Sequence, residues 1–545
     1  MGTEHRTKAL LGIDVGTSSA RAAIFDTDGR LLGLAKQSIR TWYETGGQVE
    51  QSSRDIWAAV QTSVRKALTD AGIAAADVAG IGVDATCSLT VVDPLGAPLP
   101  VGSSLDSDRN VIVWMDHRAI EQARRINASN HPVLAYVGGR ISPEMQTPKL
   151  LWLKEYRRDT FNSAGYFFDL SDYLTWRLTG SAARSICTVT CKWTYLAHER
   201  RWDLGYFNTI GLQEIADQHN RIGTEIVGPG SPLGHGLSEK AASDLGLLPG
   251  TPVGAGLIDA HAGGIGTVGA EQAGPIEGSL AYILGTSACA MATTRSDTFV
   301  PGIWGPYFSA MVPDRWLNEA GQSAAGAAID YLVKMHPAFP ELQALAANEG
   351  LAVVSWLDRQ ATGAAETLSE IALRARALHV VPDFNGNRSP FADPEACAVI
   401  AGLRADCAVS SLVDLYVAGL CGLGYGLSQI IVAFRERGIP IERLIISGGG
   451  AQSEMVRQTL ADITELPVCV PVSPEPVLLG AAMLAAVAAR IYPGLQEAMP
   501  RMSRIDSIYR PAEGQIREFH RTKAEAFAAL QKAERLTRSL LGPAS

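Results

Sequence analysis

Leu10-Leu-Gly-Ile-Asp-Val-Gly-Thr-Ser-Ser-Ala-Arg21 decides how this chain is read: an apolar run ends in an acid and passes directly into a turn of small residues. Such a turn exposes successive backbone N–H groups, which with the Thr17 and Ser18 hydroxyls can wrap phosphate oxygens. The stretch has an echo. Residues 283–287 read Ile-Leu-Gly-Thr-Ser behind the apolar Leu280 to Leu284, so a strand followed by Gly-Thr-Ser occurs once in each half of the chain. Either copy alone could be an ordinary hairpin turn, but the pair predicts two lobes facing one nucleotide. Asp14 has no counterpart in the second copy, where Ile283 stands. A carboxylate repels phosphates unless Mg²⁺ lies between them, and Mg²⁺ accepts one or two carboxylates with phosphate oxygens and water, so the first turn is the expected metal side.

Length and composition agree with a two-lobed chain. At 545 residues there is room for two sizeable domains, since single cores rarely grow past about 250–300 residues. A net charge of −9 with interspersed signs predicts no nucleic-acid and no membrane partner. Eight cysteines are scattered without a disulfide framework, and the Cys187/Cys191 pair has no second pair to complete a zinc site. The opening Met-Gly-Thr-Glu-His-Arg-Thr-Lys has no apolar core, and Arg6 stands where a myristoylation signal needs Ser or Thr, so a cytoplasmic, unlipidated protein is expected. Leu415 to Phe434 carries no Asp, Glu, Lys or Arg and reaches the ~20 residues of a membrane span. Its four glycines, with Ser428 and Gln429, predict a buried core helix instead.

Element signals alternate. Strands are predicted at Leu10 to Asp14, Arg21 to Phe25 and from Arg30, with Asp28-Gly29 as a hairpin turn. Ser52 then caps a helix whose face is Ile56, Val60, Val64 and Leu68, and a strand from Val78 to Val83 ends at Asp84-Ala-Thr-Cys-Ser88. The Gly- and Pro-rich residues 228–256 are expected to join the lobes. The second lobe is predicted to hold strands at 280–284, Arg443 to Ser447 and Val468 to Val470. Its helices are expected from about Ser453 to Thr464, from Val477 to Ile491, and in the charged stretch from Glu513 to Leu541, the last lying on the surface. Strands alternating with helices give an α/β class with the site at the strands' C-terminal ends. Ser447-Gly-Gly-Gly-Ala-Gln452, between a strand and a helix, lets backbone approach an anionic or flat ligand, yet matches neither a Walker A loop nor a dinucleotide fingerprint.

Seven features occur in one order: Gly12-Ile-Asp-Val-Gly-Thr-Ser-Ser19, Trp114-Met-Asp-His-Arg118, Leu257-Ile-Asp-Ala-His261, Gly285-Thr-Ser287, Glu319-Ala-Gly-Gln-Ser-Ala-Ala-Gly326, Gly448-Gly-Gly450 and Gly480-Ala-Ala482. From Leu10 to about Ile491 the chain resembles the FGGY family of carbohydrate kinases. The resemblance implies a two-lobed RNase H-like fold, as in actin, Hsp70 and sugar kinases, with an interdomain active-site cleft. It places a sugar and Mg-phosphate domain at 8–265, a nucleotide domain at 266–495 and an extension at 496–545. It also implies ATP and Mg²⁺ as cofactors and Asp259 as catalytic base, orienting a sugar hydroxyl and accepting its proton. Asp14 would hold the metal; Gly16, Thr17, Ser18 and Arg21 would contact the phosphates from one lobe, and Gly285 with Thr286 from the other. Gly326, Gly449, Gly450 and Gln452 would line the nucleoside pocket.

Gly82-Val-Asp-Ala-Thr-Cys-Ser-Leu-Thr90 resembles the D-ribulokinase branch, which implies a pentulose substrate, D-ribulose first. By the same resemblance Lys192 and Glu319 would bind sugar hydroxyls beside Asp259 and the Ala85 to Ser88 turn, including Cys87. Trp114 and Asp116 would wall the pocket. A homodimer is left open. The alternatives are a kinase for L-ribulose, D-xylulose or ribitol, or a non-catalytic sugar or nucleotide sensor on the same fold.

Overall fold

The computed structural model describes residues 8–363 and 365–541, so the Met1 to Thr7 part of the N-terminal reading lies outside the described residues. Strand β1 (Ala9–Val15) is buried on both faces, as its unbroken apolar run requires, and pairs antiparallel with β2 (Ser19–Asp26), which pairs with β3 (Leu31–Ser38). Helix α1 (Ser53–Ala71) starts where Ser52 accepts the Asp55 N–H and stops at Gly72, whose φ of 64° no side chain favours. Strand β4 (Val78–Ala85) runs parallel to β1 and two residues past the predicted end, which sets Asp84 opposite Asp14.

Residues 228–256 do not join the lobes. They extend the first sheet, because the Ile81 N–H donates to the Pro252 carbonyl (2.8 Å) and the Gly254 N–H to the Ile81 carbonyl (2.9 Å). Helix α2 (Ile186–Trp193) precedes this segment; β5 (Leu257–Ile258) follows it on the far side of β4 and opens directly into α3 (Asp259–Val268). The chain crosses to the second lobe only after α3.

There the pattern repeats. Strands β6 (Ser279–Leu284), β7 (Ala288–Thr294), β8 (Trp304–Phe308) and β9 (Trp316–Gln322) lead into helix α4 (Gly326–Met335) and the long α5 (Val409–Glu436). After α5 come β10 (Arg443–Ser447), α6 (Glu454–Thr464), β11 (Val468–Pro471), α7 (Pro476–Ala488), β12 (Ile505–Tyr509) and α8 (Gln515–Leu541). The first sheet has the order β5-β4-β1-β2-β3; the second, β8-β9-β7-β6-β10-β11-β12, contains the same five-strand order and the same parallel and antiparallel senses. The two Gly-Thr-Ser turns therefore occupy equivalent places, each linking the first two strands of its lobe.

Helix α5 is the expected core helix, with Leu415, Tyr416, Leu423, Ile430 and Phe434 buried in the second lobe. Helix α8 lays its apolar stripe on that lobe: Phe527 joins the core and Lys523 donates to the Ala375 carbonyl at 2.8 Å. Helix α7 belongs to the second half of the chain yet lies on β1 and β4 of the first sheet, side by side with α3. The fit depends on glycine. A Cβ on Gly480 would come within 2.0 Å of the Ala262 carbonyl oxygen, and one on Gly82 within 1.8 Å of that of Ala481.

Candidate active site

Both Gly-Thr-Ser turns open on one cavity of about 390 Å³, lined by Asp14, Gly16, Thr17, Arg21, Cys87, Trp114, Lys192, Asp259, Gly285, Thr286 and Glu319. The two turns are hairpins as well: the Gly16 N–H donates to Ser19 (3.0 Å) and the Gly285 N–H to Ser287 (2.9 Å). Neither glycine has a positive φ, and a Cβ on either would meet no protein atom closer than 3.5 Å. Backbone and packing alike would accept a larger residue; what a side chain there would obstruct is the cavity. Because both glycine N–H groups close their own turns, backbone donors for a phosphate fall to Thr17 and Thr286, for whose N–H groups nothing serves as acceptor among the described residues. Thr17 is braced from behind, its carbonyl accepting from Gln51 (2.6 Å) and its hydroxyl from the Trp114 indole (3.0 Å).

The acids gather at the strand ends. Asp14 accepts from Arg21 Nε at 2.6 Å, and Arg21 Nη1 reaches Glu475 at 2.6 Å, just before α7. Arg21 thus lies in the cavity wall but is committed to two carboxylates. Burial works against its charge, and Asp14 and then Glu475 overcome this and hold its pKa above the ordinary guanidinium value. Asp84, not foreseen as a site residue, sits in register beside Asp14 with no hydrogen-bond partner on either buried carboxylate oxygen. Burial first, then the charges of Asp14 and Asp259, push it well above the usual carboxylate range.

Asp259 is the first residue of α3, where one oxygen accepts the Ala260 N–H at 2.8 Å and the carboxyl opens on the cavity. Burial, with Asp14 second, pushes it up to about 6. Deeper in, Lys192 at the last turn of α2 stands 4.0 Å from Glu319 on β9 and 4.6 Å from the centre of the Trp304 ring. Glu319 also meets His261 Nε2 at 3.3 Å, and His261 Nδ1 meets Cys187 Sγ at 3.0 Å. Burial opposes its charge, but Lys192 and then His261 hold Glu319 down at about 2. Cys87 lines the cavity as an inert thiol, pushed up to about 12 by burial.

Several expected site residues lie elsewhere. Asp116 does not wall the pocket: it is fully buried, accepts the Val49 N–H (2.6 Å) and pairs with Arg118 (2.8 Å), which also holds Glu50. Ser88 and Ala85 are buried behind the wall, with Ser88 Oγ accepting the Trp114 N–H (3.1 Å) and so fixing that indole. Ser18 points away from the cavity, and its neighbour Ser19 lines it instead. Gly326, Gly449, Gly450 and Gln452 are outside this cavity too. Gly326 braces the second turn, its N–H donating to the Gly285 carbonyl at 3.0 Å, and Gly450 lies against Leu284 at the end of β6, next to that turn. Gln452 and Gly449 are exposed on the same rim of the second lobe. The sequence reading also missed Glu144, Trp304 and Arg388, which complete the lining, and His261, whose motif was quoted without a role.

Comparison with known proteins agrees with this geometry. Residues 9–266 match the N-terminal domain model of the FGGY family of carbohydrate kinases and residues 280–489 its C-terminal domain model. The chain is 44% identical to a human FGGY carbohydrate kinase domain-containing protein, covering 97% of each. It is 35% identical to a D-ribulokinase of Saccharomyces cerevisiae, covering 89% of this chain and 72% of that one. In fold it resembles the crystal structure of a xylulose kinase from Rhodospirillum rubrum, with a TM-score of 0.77 at 21% identity over 96% of this chain and 99% of the other. With both domain models matched in order and their strand-end motifs meeting in one cleft, the chain belongs to the FGGY family of carbohydrate kinases and is a sugar kinase.

Proposed function

We propose that this enzyme transfers the terminal phosphoryl group of Mg-ATP to the terminal hydroxyl of a pentulose, D-ribulose giving D-ribulose 5-phosphate. The observation that carries the reaction class is the meeting of Asp14, Thr286 and Asp259 in one interlobe cavity with Lys192 and Glu319. D-ribulose is favoured by the likeness to the yeast D-ribulokinase and by the Gly82 to Thr90 strand end.

Asp259 orients the acceptor hydroxyl and takes its proton, which a carboxyl near 6 does readily at neutral pH. A loose phosphoryl-transfer transition state asks mainly for in-line placement and charge neutralisation, and the two turns supply donors from opposite sides. The unpartnered Asp84 oxygens beside Asp14 suit a small divalent cation. Among the described residues no three acidic, His or Cys side chains form a metal site alone, as expected for Mg²⁺ that takes most of its ligands from phosphate and water. Held by Asp14 and Asp84, Mg²⁺ would neutralise phosphate charge. Lys192 and Glu319 hold sugar hydroxyls, one donating and one accepting.

The test is a panel of pentuloses and pentitols in a coupled ADP-release assay, compared by kcat/KM. D-ribulose is expected to rank first. A flat panel without sugar-stimulated ADP release rejects the activity, and a different top sugar rejects the substrate.

A further inference from the structure

Glu144 and Arg388 come from opposite lobes, Glu144 from the loop before the helix Gln146–Tyr156 and Arg388 from the loop that follows the strand His379–Val381. Both line the cavity, with Arg388 Nη2 standing 3.8 Å from Glu144 Oε2 and His117 Nε2 3.8 Å from Glu144 Oε1. These separations attract the charges but exceed hydrogen-bond length, so the donors of the guanidinium and the lone pairs of the carboxylate remain unspent. Among the described residues neither side chain makes a hydrogen bond, and neither appears among the buried polar atoms without partners, because both open on the cavity. Trp304 lies between this pair and Lys192: its ring centre is 5.4 Å from the Arg388 guanidinium and 4.6 Å from Lys192 Nζ.

The charges fall in a sequence along the cavity. Asp14 acts on Asp259; Lys192 acts on Asp259, Glu319 and Glu144; Arg388 acts on Glu319 and Glu144. Glu144 and Arg388 are thus at the end away from the phosphate turns. Two cations there, Lys192 and Arg388, each face a carboxylate within 4.0 Å, which leaves no cation free for an anionic ligand.

We propose that Glu144 and Arg388 form a cross-lobe clasp that reads the end of the sugar farthest from Asp259, selecting a neutral carbonyl-and-hydroxyl end over a carboxylate. The clasp rests on the sugar-kinase assignment of this cavity. The planar guanidinium donates to the carbonyl or an adjacent hydroxyl, Glu144 accepts from a hydroxyl, and a carboxylate in that place meets Glu144 as a like charge. Since one partner comes from each lobe, the sugar draws the lobes together.

The experiment compares the wild-type enzyme with Glu144→Gln and Arg388→Lys on the best ketose of the panel, its 1-deoxy analogue and the aldonate of equal length. In the wild type the 1-deoxy analogue should raise KM about tenfold or more, as expected when a polar contact in a built site is left unpaired. Glu144→Gln should raise the sugar KM more than it lowers kcat, and improve the aldonate-to-ketose ratio of kcat/KM about tenfold. Arg388→Lys keeps the charge but loses the fork, and should shrink the 1-deoxy penalty. A wild type inert toward every sugar overturns the functional assignment and the clasp with it. An active wild type that accepts the 1-deoxy analogue as well as its parent overturns the clasp alone, as do unchanged ratios in folded variants.

Discussion

Asp259 shows how much of the chemistry is set by the surroundings of one side chain. As the first residue of α3 it faces the positive end of a helix and accepts its neighbour's N–H, both of which favour the anion. Burial and the nearby Asp14 charge disfavour the anion and prevail, leaving the carboxyl at about 6. A base must be ionised to accept a proton, so kcat/KM should rise with pH through about 6 and level off above it, falling about tenfold per pH unit on the acid side. Asp259→Asn should lower kcat by about 10²–10⁴ and abolish that acid limb, with ATP affinity measured by calorimetry staying within a few-fold. An Asn variant with near-normal turnover, or an acid limb that survives the substitution, would show that another group is the base.

At the scale of elements, the pairing of α3 with α7 is the joint on which the site rests. Their contact is close enough that Gly480 has no room for a side chain against Ala262, and α3 carries Asp259 at its start. Gly480→Val should therefore cost about 2 kcal/mol or more by overpacking, read as a lower denaturation midpoint, and should reduce kcat by displacing α3. Normal stability with normal kcat would mean that the joint yields without consequence. The sequence announces Gly480-Ala-Ala482 as a motif but not its partner. Helix α7 is apolar on every side, and an all-round apolar helix records that it is buried without recording against what. The Gly-Thr-Ser turns were legible because the signal is local: an apolar strand, a glycine and two hydroxyls in succession. Asp84 was not, since its meaning comes from the parallel register that places it beside Asp14, about seventy residues away. Nor were Glu144 and Arg388, which are unremarkable loop charges until the two lobes face each other. Asp116 failed for a related reason: its motif is local, but the Arg118 and Val49 contacts that bury it are decided by the packing of the small sheet around it.

For the whole molecule, the decisive point is that the two lobes are not independent bodies strung on a linker. The first sheet is covered on one face by α1, from its own half of the chain, and on the other by α7, which arrives only after the second lobe is built. Helix α3, from the first half, lies in turn against β6 and β10 of the second sheet. The apolar core that contains Leu257, Ile265, Leu479 and Met483 therefore takes residues from both ends of the chain, and neither half can bury it alone. Domains that unfold separately need their own cores and an interface of ordinary surface polarity between them, and this interface is instead an interior. Calorimetry of the full chain should accordingly show one cooperative transition with matching calorimetric and van't Hoff enthalpies, despite the two-lobed shape. A fragment ending at residue 278 should lack cooperative unfolding, because it exposes the face of β1 and β4 that α7 covers. Two separated transitions, or a fragment that melts sharply, would mean that the shared helices join finished domains rather than complete them. A single transition would also define what closure can be in this enzyme: the α3–α7 joint stays packed, and motion is confined to the outer parts of the lobes, where Thr17 and Thr286, and Glu144 and Arg388, face each other across the cleft.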